Sequence, residues 1–253
     1  MKHYFNDQRI SQSKLKDWMA CPNLYKAKHV DKVIGQETTK AMLYGSIVDM
    51  LVTQPDQFDK EYAVVSRRPK GETYDEEDRM YINPSEIQLA QTAADKVNAQ
   101  PVMEIFRQPW MKTQVQLYTD TKKAMLDYFG IDKKGTAWIA DLKTMRNIDK
   151  VQDSFYNWRW DIQLAFYRMI AKEKCPQIKR FNIFIIGIDK TVNMKFGVWK
   201  VMQKHFSRYE KMIDKYMPMV GSPERIARGL CTACPPEINC EYSLFKEKDI
   251  GKL

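Results

Sequence analysis

Residues 124–144 read AMLDYFGIDKKGTAWIADLKT, and how this stretch is parsed decides the fold. Two apolar, strand-like runs, Ala124–Ile131 and Thr136–Leu142, flank Asp132-Lys-Lys-Gly135, which has the composition of a turn. Just upstream, Lys112–Thr119 (KTQVQLYT) alternates apolar and polar residues, as a strand buried on one face does. Together the three segments predict an antiparallel meander.

Working outward, Trp160–Lys172 has helical character, and Arg180–Asp189 and Met194–Val201 read as further strands about residues 190–193. Gln203–Tyr216 is expected to be a helix, with Phe206, Tyr209, Ile213 and Tyr216 at helical spacing. On the amino-terminal side, Ser11 and Ser13 suit the cap of a helix over Lys14–Lys28, which Pro22 should kink or break. Further helices are expected over Thr39–Leu51 and Ser85–Asn98, with a short one from Pro101. The polar, charge-dense residues Asp56–Asn83 read as a loop. An α/β (α+β) fold follows, a mixed sheet with helices packed against it.

The chain has 253 residues and a mass of 29.9 kDa. It is 44% hydrophobic, enough for a sizeable core, and its formal charge of +9 points to a polyanionic partner such as nucleic acid. The longest apolar run, Phe181–Ile188, is far short of the roughly 20 residues of a membrane span. The first residues lack the apolar stretch of a secretory signal. Five cysteines, an odd number, with no such signal suggest reduced thiols and a cytoplasmic protein. His3, His29 and His205 show no zinc-hydrolase spacing, and neither a P-loop nor a dinucleotide-binding glycine pattern is present.

Within Ile139-Ala-Asp141-Leu-Lys143-Thr144, Asp141 and Lys143 are two apart and leave the same face of a strand, with Leu142 pointing into the core. Asp127 lies on the preceding strand of the hairpin. If the strands pair, Asp127 and Asp141 suit a divalent metal, the Leu142 carbonyl offers another oxygen, and Lys143 is placed to steer a water toward phosphorus. Hard oxygen ligands favour magnesium or manganese. The same residues also suit a plain solvated ion pair at a strand edge. Arg146, Arg159 and Trp160 lie near by in sequence. They read either as phosphate and base contacts or as a solvated face beside a core tryptophan.

The tail carries Cys231-Thr-Ala-Cys234-Pro-Pro-Glu-Ile-Asn-Cys240, and Cys21 is a fourth candidate from the far end of the chain. Four thiolates hold either a 4Fe–4S cluster or tetrahedral zinc. Unliganded buried thiols are the alternative. Cys175 has no partner by spacing and reads as a structural or free thiol.

The order Gly45-Ser-Ile-Val-Asp49, Leu126-Asp127, Ile139-Ala-Asp141-Leu-Lys143-Thr144 and Gln163-Leu-Ala-Phe-Tyr167 resembles the PD-(D/E)xK nucleases, over most of the chain from Ser11 to Cys240. More narrowly it resembles RecE-type phage exonucleases and the nuclease domains of RecB and AddB. The resemblance implies a restriction-endonuclease-like mixed central sheet flanked by helices, with a cysteine-bound metal-cluster tail. It implies one domain over 1–253: a helical region over residues 1–108, a nuclease core over 109–218, and a tail over 219–253 closing on Cys21.

By the same resemblance, Asp127, Asp141, Lys143, Gln163 and Tyr167 are catalytic. Asp49, Asp127, Asp141 and Leu142 hold Mg2+ or Mn2+, and Gln163 and Tyr167 meet nucleic acid, with Arg146 and Trp160 added as contacts for their closeness in sequence to the metal site. Cys21, Cys231, Cys234 and Cys240 bind a 4Fe–4S cluster, zinc being the alternative. The implied activity is a DNA exonuclease processing ends for phage or mobile-element recombination or replication, in the cytoplasm of a bacterial host. DNA is the implied partner, with a single-strand annealing protein or further copies of the chain as companions. A catalytically impaired DNA-end or partner-binding relative and a CRISPR-adaptation-type nuclease are the alternatives. The chain departs from the family in two places: Asp49 stands where histidine is usual, and Gln114 or Gln116 where relatives often carry glutamate on the strand before Asp127.

Overall fold

The computed structural model describes residues 2–33, 38–71, 73–191 and 193–221, with only the backbone for Lys2, His3 and His205. The amino-terminal region is helical. After α1 (Lys2–Asn6) comes α2 (Gln12–Ala20), capped by Ser11, whose hydroxyl accepts from the Lys14 N–H. The helix expected over Lys14–Lys28 is broken at Pro22, as that proline predicts. Pro22 lacks the amide hydrogen a continuing helix needs and instead occupies the first turn of α3 (Pro22–Tyr25), which runs into a π-helical turn at Lys26–Val30.

Thr39 caps α4 (Lys40–Thr53). The stretch expected to be loop, Asp56–Asn83, contains α5 (Phe58–Glu61) and two short parallel strands, β1 (Tyr62–Val64) and β2 (Met80–Ile82). Phe58, Tyr62 and Ile82 are buried there. Three apolar anchors spread so thinly through a charged stretch are too sparse to show a period. Next, α6 (Pro84–Asn98) opens with a capping box between Asn83 and Glu86, and a 3-10 segment, Pro101–Arg107, buries Met103 and Phe106.

The meander is present as β3 (Met111–Tyr118), β4 (Lys123–Ile131) and β5 (Thr136–Met145), all antiparallel. Its turn is built by the residues that mark it in sequence. Asp132 Oδ1 accepts from the Lys134 and Thr136 amides at 2.9 Å each, and Gly135 supplies the left-handed backbone at φ 73°. A helical crossover of α7 (Val151–Asn157) and α8 (Trp160–Lys174) then leads to β6 (Arg180–Asp189). Because the chain crosses over, β6 lies parallel to β5, and β7 (Phe196–Lys200) returns antiparallel. The sheet is therefore mixed, in the order β3-β4-β5-β6-β7.

The last long helix is α9 (Phe206–Tyr216), and the helical expectation from Gln203 is met by a preceding 3-10 turn. Both faces of the sheet are covered. Ala137 and Ile139 join α2, α8 and α9 on one side, while Ala140 and Leu142 join α4 and α6 on the other. Among the described residues no helix is long and apolar enough to cross a membrane.

Candidate active site

The site forms where the ladder between β4 and β5 stops. Its last registered pair is Tyr128 with Ala140. One step on, the Leu142 amide donates not to a strand carbonyl but to Asp127 Oδ2, at 2.8 Å. That bond fixes the Asp127 carboxylate beside Asp141, which is only 2% exposed.

Asp141 is held from two directions. Gln163 Nε2 on α8 donates to its Oδ1 at 2.8 Å, and Lys143 Nζ lies 2.5 Å from its Oδ2. Gln163 also donates to the Tyr167 hydroxyl at 2.9 Å, one helical turn along. Leu142, between the two charged residues, faces the opposite cluster with α4 and α6.

The third carboxylate arrives from far back in sequence. Asp49 sits on α4 one turn after Gly45, where an added Cβ would stand 3.0 Å from Thr144 Oγ1. Glycine thus allows α4 to lie close against β5 and Asp49 to reach the site. Gln114 Nε2 donates to Asp49 Oδ2 at 2.8 Å, to Thr53 Oγ1 at 3.1 Å and, at 3.5 Å, to Asp127 Oδ1. Gln114 reaches them from an unusual backbone, φ 49°, within β3. Gln116 points elsewhere and accepts from the Tyr118 hydroxyl, so of the two glutamines it is Gln114 that meets the carboxylates.

Three carboxylates against one close ammonium make the site short of positive charge. Burial, then Asp49 and Asp141, hold the Asp127 carboxyl well above the usual carboxylate range. Burial, followed by Asp141, pushes Asp49 up to about 7 against the pull of Lys143 and Gln114. Burial alone would lower the Lys143 ammonium, but Asp141, Asp127 and Asp49 outweigh it and raise it. Tyr167, buried and near Asp141 and Asp127, is held firmly as the neutral phenol.

The described residues contain no ready-made cage of three or more His, Cys, Asp or Glu side chains. Gln114 and Lys143 stand among the carboxylates instead. The donor set nonetheless fits a hard divalent cation. It is all oxygen, and Asp49 Oδ1 is buried with no hydrogen-bond partner among the described residues. Such an orphaned acceptor is costly unless a cation or donor meets it.

Other expected residues are placed unevenly. Trp160 is buried, and its ring lies 5.8 Å from Lys143 Nζ; it supports the lysine from the core side. Arg146 is exposed just past the end of β5. Cys21 is buried between α2 and α3, whereas Cys231, Cys234 and Cys240 lie outside the described residues. Cys175 is a free, partly buried thiol.

Sequence reasoning did not single out Lys16. Its ammonium donates to the Trp158 carbonyl at 3.3 Å. Burial, then the nearby Lys143, lowers it to about 8, while Asp141 pulls the other way. Nothing in the sequence separates Lys16 from the other lysines of its helix; only the packing of α2 on α8 does.

A mixed sheet with Asp127, Asp141 and Lys143 at one break in its ladder agrees with the PD-(D/E)xK superfamily, to which a family match assigns the chain. Residues 11–235 match the family described as "PDDEXK-like domain of unknown function (DUF3799)", and the chain belongs to it. No curated protein matches the sequence. Among solved structures, the fold is similar to a "putative exonuclease" from Eubacterium rectale, with a TM-score of 0.67 and 20% identity over 92% of this chain and 91% of that one. It is also similar to SSO0001, with a TM-score of 0.43 and 12% identity over 95% and 89% of the two chains.

Proposed function

We propose that the protein is a divalent-metal-dependent deoxyribonuclease that hydrolyses phosphodiester bonds at DNA ends. The observation that carries this reading is the convergence of Asp49, Asp127 and Asp141 beside Lys143, with Asp49 Oδ1 left without a partner among the described residues. A magnesium or manganese ion held by these carboxylates and the Leu142 carbonyl would supply the positive charge that an attacked phosphate needs.

The chain's own residues do the rest. Lys143 Nζ, kept charged by its three acidic neighbours, orients the attacking water and a phosphate oxygen. Gln163 and Lys143 each hold one oxygen of Asp141, and the Leu142 amide holds one of Asp127, so both carboxylates are kept oriented for a cation. Tyr167 locks Gln163 in place and brings no second negative charge. By resemblance, the role is end processing for recombination or replication of a phage or mobile element. Four thiolates, Cys21 with Cys231, Cys234 and Cys240, would carry a 4Fe–4S cluster that ties the tail to the buried start of α3.

The test is digestion of end-labelled linear DNA by anaerobically purified protein with magnesium, manganese or chelator. Metal-dependent cutting from the ends supports the reading, and the product ladder gives polarity. A second reading, a DNA-end binder that does not cut, is favoured by the Gln114 amide standing between Asp49 and Asp127, where an acid is usual in relatives. Retained DNA binding with no cutting in either metal would select it.

A further inference from the structure

Trp158 and Trp160 are two residues apart and have opposite fates. Trp160 is core, at 7% exposure, while Trp158 is 68% exposed. The bare ring is carried on a well-held backbone. Its amide donates to the Ser154 carbonyl at 3.0 Å, closing α7, and its carbonyl accepts from Lys16. Arg159, next along, adopts φ 53° and ψ 44°, the left-handed region that non-glycine residues enter at a cost. Strained turns of this kind are kept where they aim side chains. Here the turn sends one indole beneath Lys143 and the other into solvent.

The turn that carries the ring also bears two cations, Lys16 on its carbonyl and Arg159 next along. Lys16 donates one of its three N–H groups to the Trp158 carbonyl. Arg159 is partly engaged by Asp161, at 3.3 Å, and that acid is itself buried and bonded to the Ile162 amide. The helix α2 that carries Lys16 packs on α8, whose Gln163 holds Asp141, so this rim adjoins the carboxylate cluster.

We propose that Trp158 is a base-stacking platform for the DNA strand entering the site, with Lys16 and Arg159 binding the phosphates beside it. The proposal deepens, and rests on, the reading of the cluster as a DNA-cutting site. An exposed indole on a turn that bears two cations matches what a single strand offers, a base with a π face next to a phosphate. A protein partner or a second copy would find the ring but would not need the two cations.

The test is binding of a fluorescent single-stranded oligonucleotide to the full chain in chelator, where no cutting is asked of it. Trp158→Ala should weaken affinity about tenfold, within the range of one lost base stack, while Trp158→Phe keeps most of it. The salt dependence should be unchanged in both. Lys16→Gln should instead lower the slope of log affinity against log salt by about 0.7, one phosphate contact of a single strand. The ring lies outside the core, so parental thermal stability of Trp158→Ala is the control for folding.

Equal affinity of Trp158→Ala and parent at the same salt overturns the proposal. So does a Trp158→Ala variant that loses self-association and keeps its DNA affinity. The two readings fail separately. If the parent binds DNA through Trp158 but cuts nothing in magnesium or manganese, the nuclease falls and the platform stands. If Trp158→Ala binds and cuts as the parent does, the platform falls alone.

Discussion

Lys143 Nζ stands 2.5 Å from Asp141 Oδ2, and the two side chains share one face of β5 with only Leu142 between them. The same ammonium feels Asp127 and Asp49. One cation therefore serves three acids, and its removal should affect chemistry before it affects folding.

Lys143→Ala is expected to lower cleavage by at least about 100-fold, the loss typical of one group that stabilises transition-state charge. Single-turnover digestion with saturating enzyme measures it. Affinity for DNA in chelator should change only a few-fold; an equal loss of binding and cutting would remove Lys143 from the chemistry.

The pH dependence of stability has a definite sign. Asp49 titrates at about 7 when folded against 3.8 ordinarily, so between these values the folded state holds a proton that the unfolded chain releases. Stability contributed by this group is then present at low pH and declines as pH rises from about 4 to about 7. Thermal unfolding in chelator should show the metal-free parent losing Tm over this range relative to Asp49→Asn. A parent that gains Tm relative to the variant would contradict the buried, charge-crowded setting of Asp49.

Gln114→Glu puts a fourth carboxylate where the amide now bridges Asp49 and Asp127. Tighter magnesium or manganese binding by calorimetry is expected, together with a lower Tm in chelator, since the added charge repels its neighbours until a cation arrives. Unchanged metal affinity would show that Gln114 lies outside the cation's reach.

Gly45→Val tests whether the approach of α4 to β5 positions Asp49. A Cβ alone would lie 3.0 Å from Thr144 Oγ1, and the branched methyls reach further. Overpacking of this kind costs about 1–3 kcal/mol, read by urea denaturation, and metal affinity should fall with it. A variant as stable as the parent, with the same metal affinity, would mean that the helix has room to spare.

Cys21→Ser should reduce bound iron and acid-labile sulfide in anaerobically purified protein, because it removes one of four proposed thiolates. Iron at the parental level would exclude Cys21 from the cluster, and stoichiometric zinc in its place would replace the cluster with a tetrahedral zinc site.

Much of this was legible in the sequence, for reasons visible in particular residues. The meander announces itself through KTQVQLYT and the Asp132–Gly135 turn, because strand alternation and turn chemistry are local properties. The pairing of β6 with β5 and the helical crossover were less plain. Only Val151 and Phe155 of α7 pack on the core, both partly buried, so its apolar stripe is too short to read. In the site, the two-residue spacing of Asp141 and Lys143 fixes their common face, but nothing local says that Gln114 rather than Gln116 meets Asp49. That choice depends on the positive φ at Gln114, a tertiary outcome. Likewise Trp158 and Trp160 look equivalent in sequence, and only the left-handed turn at Arg159 separates them.

The break between β4 and β5 gathers side chains that lie far apart along the chain. The carboxylates come from a helix before the sheet, from one arm of a hairpin and from its other arm, and the glutamine that orients the last comes from the crossover beyond it. No contiguous fragment short of residues 49–163 holds all four. A chain still emerging from the ribosome, or one nicked between α4 and the hairpin, carries the separate pieces without the geometry. On the proposed nuclease reading, cutting is thereby deferred until residue 163 has been made and the sheet has folded against α8.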